Sequence, residues 1–337
     1  MEKIRGLKPL YSSLLQGVGN TPLVRLNHLS EELGCEIYGK VEAFNPSGSI
    51  KDRVVNYIIN KAEIEGKLKP GMTIVDATSG NTGLSIALVA LIKGYKCILT
   101  IKDNSAPAKI EQLQLYGARV IKCPADAKPD DPLSYYSMAQ KIVNDNPNTF
   151  YLNQNHNENH FLAHFNSTGN ELWQQTQGQI THFFASASTG GTVSGTGAFL
   201  KAQNSKIKVI CADSKGSVLK PYHEEGIYLK DLKKATSLEG VGKDIIPSVF
   251  RKDIIDECME IDNDASIQNA KDLLVQEGIF AGGSSGAAID ALKLYIKKYP
   301  HDKIGMAVLS FPDHGIKYMG KIYKSDAPAE DAADFFK

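Results

Sequence analysis

The chain has 337 residues, 42% of them hydrophobic, and its 38 basic side chains are balanced by 38 acidic ones. That length allows two ordinary domains with apolar cores, and the even, scattered charge offers no footprint for nucleic acid or a membrane surface. The opening MEKIRGLKPLYSSLLQ has no apolar h-region, and no segment approaches the roughly 20 apolar residues of a bilayer span, so a soluble cytoplasmic protein is expected. The five cysteines are odd in number, widely spaced and without a CxxC pair, and read as reduced packing residues rather than a disulfide framework or metal site.

In chain order, FNPSGSIKDR (44–53) leads from a strand-like stretch through a Pro/Gly/Ser turn into a helix that begins at Lys51. From residue 71, short β-branched runs alternate with amphipathic ones, which is the pattern of βαβ units and a parallel sheet. TIVDA (73–77) reads as a strand, 81–93 as a helix, KCILTI (96–101) as a strand, 106–116 as a helix and ARVIKC (118–123) as a strand. A polar, proline-rich loop covers 124–132, and helix resumes near Leu133. The second series contains the strand 181–187, a helix from about Val193, the strand 206–213, the helix 284–298 and the strand 304–311. Residues 214–250 carry few periodic signals and read as an irregular surface crossing that borders a site. The tail SDAPAEDAADFFK reads as a mobile acidic end.

Three segments carry chemistry. Lys51 falls in the first turn of its helix, where the partial positive charge of the N-terminus disfavours an ammonium and favours the neutral amine that an imine-forming lysine needs. Taken alone it is an ordinary surface lysine, and the context decides. ATSGNTGLSIAL (77–88) ends a strand and opens a helix through a turn of hydroxyls and backbone N–H groups suited to a carboxylate or phosphate. ASASTGGTVSGTG (185–197) repeats that design, with Gly190 and Gly191 permitting close approach and Ser188, Thr189 and Thr192 offering hydroxyls. It lacks the P-loop lysine and is not GxGxxG, so neither an NTPase nor a dinucleotide fold is indicated. His156 and His160 have i, i+4 spacing but no third ligand, and read as a polar surface pair. Asp52 and Arg53 are assigned to structure, and Trp173 with the Tyr135–Tyr136 pair to packing.

NTPLVRLN, NPSGSIKDR, ATSGNTG, ASTGGTVSG, LEGVGKDIIP, EGIFAGGSSGA and FPDHGIKYM, in this order between about Gly19 and Tyr323, resemble the cysteine synthase and cystathionine β-synthase group of fold-type II pyridoxal 5'-phosphate (PLP) enzymes. The resemblance implies two α/β three-layer domains of tryptophan-synthase-β-like architecture with the site in the cleft between them, usually in a homodimer. It places a smaller domain at 45–155, a larger PLP-binding one at 1–44 plus 156–325, and the tail at 326–337, the N-terminal stretch crossing back to the later domain. Carried over by position, Lys51 would be the Schiff-base lysine and Asn81 would bond the cofactor's 3′ oxygen. Thr78, Ser79, Gly80, Thr82 and Gln154 would hold the substrate carboxylate, Ser188, Thr189, Gly190, Gly191 and Thr192 the phosphate, and Gly240 would border the substrate opening. Where the family places a hydroxyl beside the pyridine nitrogen, in motifs like LPDS or LPSS, this chain has His314, which either stands there or faces away.

The activity so implied is β-replacement on L-serine, O-acetyl-L-serine or O-phospho-L-serine: Lys51 removes the α-proton, the β-group leaves, and a thiol, sulfide or amine adds to the α-aminoacrylate. Alternatives are β-elimination by a desulfhydrase or dehydratase, joining of O-phosphoserine to glutamate as ADSKGSV and EGIFAGGS suggest, and a non-catalytic partner-binding homologue. PADAKPDDPLSYYSMAQ looks more like the cystathionine β-synthase branch, without that branch's regulatory domain or haem-binding extension. The selectivity for leaving group and nucleophile is expected from 214–250, where Lys215, Lys220 and Lys243 are candidates for attracting an acidic or phosphorylated substrate.

Overall fold

The structure is a computed structural model that describes residues 10–78, 80–229, 232, 236 and 238–324; the expected acidic tail at 326–337 lies outside the described residues. The elements run β1 (Leu23–Arg25), α1 (Asn27–Leu33), β2 (Glu36–Val41), α2 (Lys51–Ile64), β3 (Thr73–Ala77), α3 (Asn81–Lys93), β4 (Lys96–Lys102), α4 (Pro107–Leu115), β5 (Arg119–Cys123), α5 (Tyr135–Asp145) and β6 (Thr149–Tyr151). They continue with α6 (Glu158–Ala163), a π-helical turn (His164–Gly169), α7 (Asn170–Gln175), β7 (His182–Ser186), α8 (Gly191–Gln203), β8 (Lys208–Ser214), α9 (Leu219–Glu225), β9 (Glu257–Ile261), α10 (Asn263–Glu277), α11 (Gly283–Lys298) and β10 (Met306–Phe311).

The strands form two sheets. One has four strands in the order β5-β4-β3-β6, and the other six in the order β1-β2-β10-β7-β8-β9. All neighbours run parallel except β1, which pairs antiparallel with β2. Parallel strands covered on both faces must be apolar at successive residues, and β7 shows it: Phe183 packs with α8 residues Val193 and Leu200, whereas Phe184 packs with α11 residues Ala288 and Leu292. The smaller sheet repeats the scheme. Ile74 and Leu99 meet α2 and α3 through Val54, Ile58 and Ile86, and Val75 and Ala77 meet Ala139 of α5 on the other face. Each sheet is thus the middle of three layers, an α/β arrangement.

The helix carrying Lys51 is fixed from below. Arg53 pairs with Glu42 at 2.6 Å and with Glu171, which also holds Lys40 at 2.7 Å, so a buried ion network joins α2 to the stretch after β2 and to α7. Asp52 points elsewhere and accepts from the Ser47 and Ser85 hydroxyls and the Ser47 N–H. Residues 214–250 differ from the expected surface crossing: the segment contains α9, and Val218, Leu219, Val241, Val249 and Phe250 are buried. Its polar composition belongs to the residues between those anchors.

Candidate active site

Between the two sheets lies a cavity of about 290 Å³ whose lining includes Lys51, Thr78, Gly80, Asn81, Thr82, Gln154, Ser188, Thr189, Gly190, Thr192 and Gly240. The expected lysine, both turns and the glycine of EGVG therefore meet in one space. Ser79 lies outside the described residues. Gly191 sits behind the lining, where a Cβ would meet His160 Cδ2 at 2.4 Å.

The placement follows from βα geometry. β3 ends at Ala77 and α3 starts at Asn81, while β7 ends at Ser186 and α8 starts at Gly191, so both helices point their N-termini at the cavity from the carboxyl ends of parallel strands. Neither helix has a side-chain cap. Its first N–H groups are then left to a ligand, and each end carries partial positive charge. Gly190 has φ +82°, a left-handed conformation that brings the turn's backbone to the cavity without a Cβ.

Lys51 heads α2 and is half-buried, lining the cavity. Burial pushes its ammonium down to about 8, with nearby Asp313 opposing the fall and Lys243 adding to it. A usable share of neutral amine exists near neutral pH. Opposite charge enters the cavity at Asp313, whose Oδ2 accepts from the Asn81 amide and the Tyr318 hydroxyl, both at 2.6 Å. Its other oxygen, Oδ1, is buried with no partner among the described residues. Lys317 donates to Asn81 Oδ1 at 2.7 Å and so orients that amide with its NH₂ toward Asp313. On the carboxylate turn, Thr82 donates to Gln154 Oε1 at 2.6 Å and Gln154 Nε2 reaches the Ala77 carbonyl at 3.3 Å.

Several expectations need correction. His314 is not in this cavity: it lines the neighbouring one, of about 730 Å³, accepts from Ile316 N–H and meets Phe280 edge-on. Asp313 and His314 follow β10 in extended backbone that bridges to Ser49 and Ala281, so successive side chains point to opposite sides and only Asp313 faces Lys51. The expected surface pair of histidines is also wrong. His160 is fully buried, with Nδ1 2.7 Å from the Gln154 carbonyl and Nε2 3.5 Å from the Thr189 hydroxyl. His164 stands beside it, 3.2 Å from the Thr192 hydroxyl, so two imidazoles support the glycine loop from behind; burial pushes His160 down to about 3. His156 precedes α6, is exposed and accepts from Ser248 N–H. Tyr135 and Tyr136, assigned to packing, line the cavity. Of the three candidate lysines Lys243 does so, while Lys215 is exposed and Lys220 pairs with Glu224. Lys102, which no motif signalled, and Ser284, which lies in EGIFAGGSSGA without an assigned role, are further lining residues.

The residues fit the cofactor implied above. Two uncapped helix N-termini suit its phosphate and a substrate carboxylate, and a half-buried lysine of lowered pKa shares the lining with them. Among the described residues no group of three His, Cys, Asp or Glu could hold a metal ion, and no helix is long and apolar enough to cross a membrane.

Comparison with known proteins agrees. A family model described as pyridoxal-phosphate dependent enzyme matches residues 14–310. Cystathionine β-synthase of Apis mellifera is 40% identical over 314 residues, covering 91% of this chain and 60% of that protein, and that of Rattus norvegicus is 38% identical over 311 residues, covering 91% and 54%. This chain therefore spans a little over half the length of these relatives. Cysteine synthase 1 of Neurospora crassa is 36% identical over 313 residues, covering 92% and 82%. The crystal structure of O-ureido-L-serine synthase matches with a TM-score of 0.85 at 28% identity, covering 98% of this chain and 100% of that one. A hydrogen sulfide-producing enzyme from Fusobacterium nucleatum matches at 0.82 and 30% identity, covering 93% and 99%.

Proposed function

Since the chain belongs to the pyridoxal-phosphate dependent enzyme family, we propose that it replaces the β-substituent of L-serine, O-acetyl-L-serine or O-phospho-L-serine with a thiol, sulfide or amine. The observation that carries this reading is the meeting of the Lys51 amine with two uncapped helix N-termini in one cavity. Bound pyridoxal phosphate supplies an aldehyde for amine attachment and an electron sink for the pair released when a Cα–H bond breaks.

The chain's own residues supply the rest. Ser188, Thr189, Gly190, Gly191 and Thr192 present hydroxyls and the N–H groups of α8 to the phosphate, and His160 and His164 fix the Thr189 and Thr192 hydroxyls from behind. Thr78, Ser79, Gly80, Thr82 and Gln154 hold the α-carboxylate and so set which Cα bond faces Lys51. Asn81, oriented by Lys317, offers its amide NH₂ to the cofactor's phenolic oxygen. Lys51 takes the α-proton as its neutral amine and returns it from its ammonium. The leaving group departs with its bonding pair, and the nucleophile forms the new bond to Cβ. Gly240 borders the opening, and Asp313, rather than His314, is the side chain available to the pyridine nitrogen.

The working cleft lies between a unit of residues 45–155 and one of 1–44 plus 156–325. Homodimerisation belongs to the same reading and is supported by exposed apolar Leu10, Leu14, Phe44, Ile316 and Met319; light scattering should give twice the 36.7 kDa chain mass. A cytoplasmic location is supported by five unbridged cysteines. The test of function is spectroscopic: purified protein incubated with PLP should absorb in the visible and change spectrum on adding one of the three serine derivatives. Lys51→Ala should abolish both, and a colourless wild-type protein would end the proposal.

A further inference from the structure

Two ammonium groups in the cavity have no task in the reaction above. Lys102 ends β4, and Lys243 follows the glycines at the opening. Thr100, two residues before Lys102, is the register partner of Ala77, and its hydroxyl donates to the Tyr135 carbonyl at 2.7 Å. Lys102 and α5 are thereby tied to the strand that delivers Thr78. The Tyr135 and Tyr136 rings lie 4.1 Å apart, with Lys102 Nζ 5.5 Å from the first centroid and Lys243 Nζ 5.4 Å from the second.

Lys243 comes from the segment between α9 and β9. Gly242 N–H donates to the Ala187 carbonyl at 2.7 Å and Lys243 N–H to Ser217 at 3.0 Å, which fixes its backbone beside the glycine loop. Its side chain then crosses the cleft to donate to the Tyr136 hydroxyl at 2.9 Å. A lysine has three donors, so most of the hydrogen-bonding capacity of both ammoniums is unused. Among the described residues neither lysine has a carboxylate partner.

The acids nearby do not neutralise the pair. Glu239 is engaged by Lys109 and Lys321, and Asp313 by Asn81 and Tyr318. Asp76 lies buried at the end of β3, and burial raises its carboxyl to about 7, so much of it is uncharged near neutrality. Burial also raises both tyrosines and keeps them as neutral donors. Asp244 is the remaining anion in the lining. Two partly desolvated cations facing one space, beside phenol donors, form an anion site.

We propose that Lys102 and Lys243 form a second anion subsite in this cavity, which takes a carboxylate or phosphate borne by a reactant beyond the α-carboxylate that sits on the Thr78–Thr82 turn. The inference rests on the β-replacement reading and narrows it to substrates with a distal anion. That anion is either the phosphate leaving from the first substrate or a carboxylate on the incoming nucleophile.

Calorimetry on PLP-reconstituted protein with unreactive L-amino acids separates the possibilities. Wild type should bind L-2-aminoadipate, which has a terminal carboxylate, roughly ten- to hundredfold more tightly than L-norleucine, which has none. The ratio should fall to about one in K102M/K243M and persist in Lys243→Arg. Equal affinity in wild type, or a preference that survives the double substitution, overturns this inference alone; wild type that binds neither amino acid overturns the substrate reading with it. Kinetics then identify the source. Loss in K102M/K243M confined to O-phosphoserine, with O-acetylserine spared, assigns the leaving phosphate, and loss confined to a carboxylate-bearing thiol, with 2-mercaptoethanol spared, assigns the nucleophile. Equal loss with charged and neutral partners in both arms overturns the proposal.

Discussion

The ion network under α2 and the cavity above it treat buried charge in opposite ways. Around Arg53, every charge has partners: Glu42 and Glu171 take its guanidinium, Thr21 donates to Glu42, and Lys40 divides its donors among Glu171, Gln175 and the Thr21 carbonyl. That company holds the Glu171 carboxyl down to about 2 although burial works against it. Two residues away, half-buried Lys51 has no hydrogen-bond partner for its amine among the described residues, and its ammonium falls to about 8. One helix turn thus carries a satisfied cation that fixes structure and an unsatisfied one held ready for chemistry. The contrast shows how a fold marks a reactive side chain: the neighbours complete each other's bonds and leave that one wanting.

Substitution should break this contrast in opposite directions. Arg53→Met leaves buried Glu42 without its ion-pair partner and half-buried Glu171 with Lys40 alone, and should cost about 3–5 kcal/mol of stability, measured by urea denaturation. Lys51→Met in cofactor-free protein should do the reverse and gain about 2 kcal/mol at pH 7, because a partly desolvated ammonium is removed. The sign carries a pH signature. Below about pH 8 the lysine is charged in both folded and unfolded chains and the folded state bears the desolvation cost; as pH rises from 8 toward 10.5, the unfolded chain binds more protons and the wild type gains stability. The gap between wild type and Lys51→Met should therefore close across that window, and a constant gap would refute the lowered pKa.

Gly191→Ala sharpens the comparison at the glycine loop. Its Cβ would meet His160 Cδ2 at 2.4 Å and Nε2 at 2.5 Å, and that ring is fully buried, so the loop must shift at a cost of about 1–3 kcal/mol. The result expected is weaker PLP retention in dialysis with far-UV circular dichroism unchanged. The smallest effect belongs to Lys317→Met, which leaves Asn81 Oδ1 without its donor. A loss of about 1 kcal/mol, roughly fivefold in PLP affinity by absorbance titration, is expected, with no change in thermal midpoint of the cofactor-free protein.

Much of the framework is legible in the residues because βα units write their boundaries locally. The strand at 73–77 and the helix at 81–93 coincide with β3 and α3, since a β-branched run, a Ser/Gly/Asn turn and a helical apolar period agree there. The sequence reading fails where long-range packing decides a side chain's direction. NQNHNENHF looks solvated, yet His160 is buried because the Gln154 carbonyl and the Thr189 hydroxyl await its two nitrogens. A one-residue step in extended backbone separates Asp313 from His314, and motif position alone cannot say which of the two faces Lys51. Lys102 and Tyr135 lie more than thirty positions apart, and only the Thr100–Tyr135 bond reveals that they share a wall.

The order of strands has a consequence for how the chain is made. β10, which ends at Phe311, lies between β2 and β7, so the six-stranded sheet has a gap in its middle until residue 311 has left the ribosome. The four strands from Thr73 to Tyr151 need nothing later in sequence to pair with one another. Synthesis therefore presents a complete small sheet while β1 and β2 wait through more than two hundred and fifty residues of translation, and a nascent chain stalled before Met306 should expose the flank of β2 to chaperones and to aggregation.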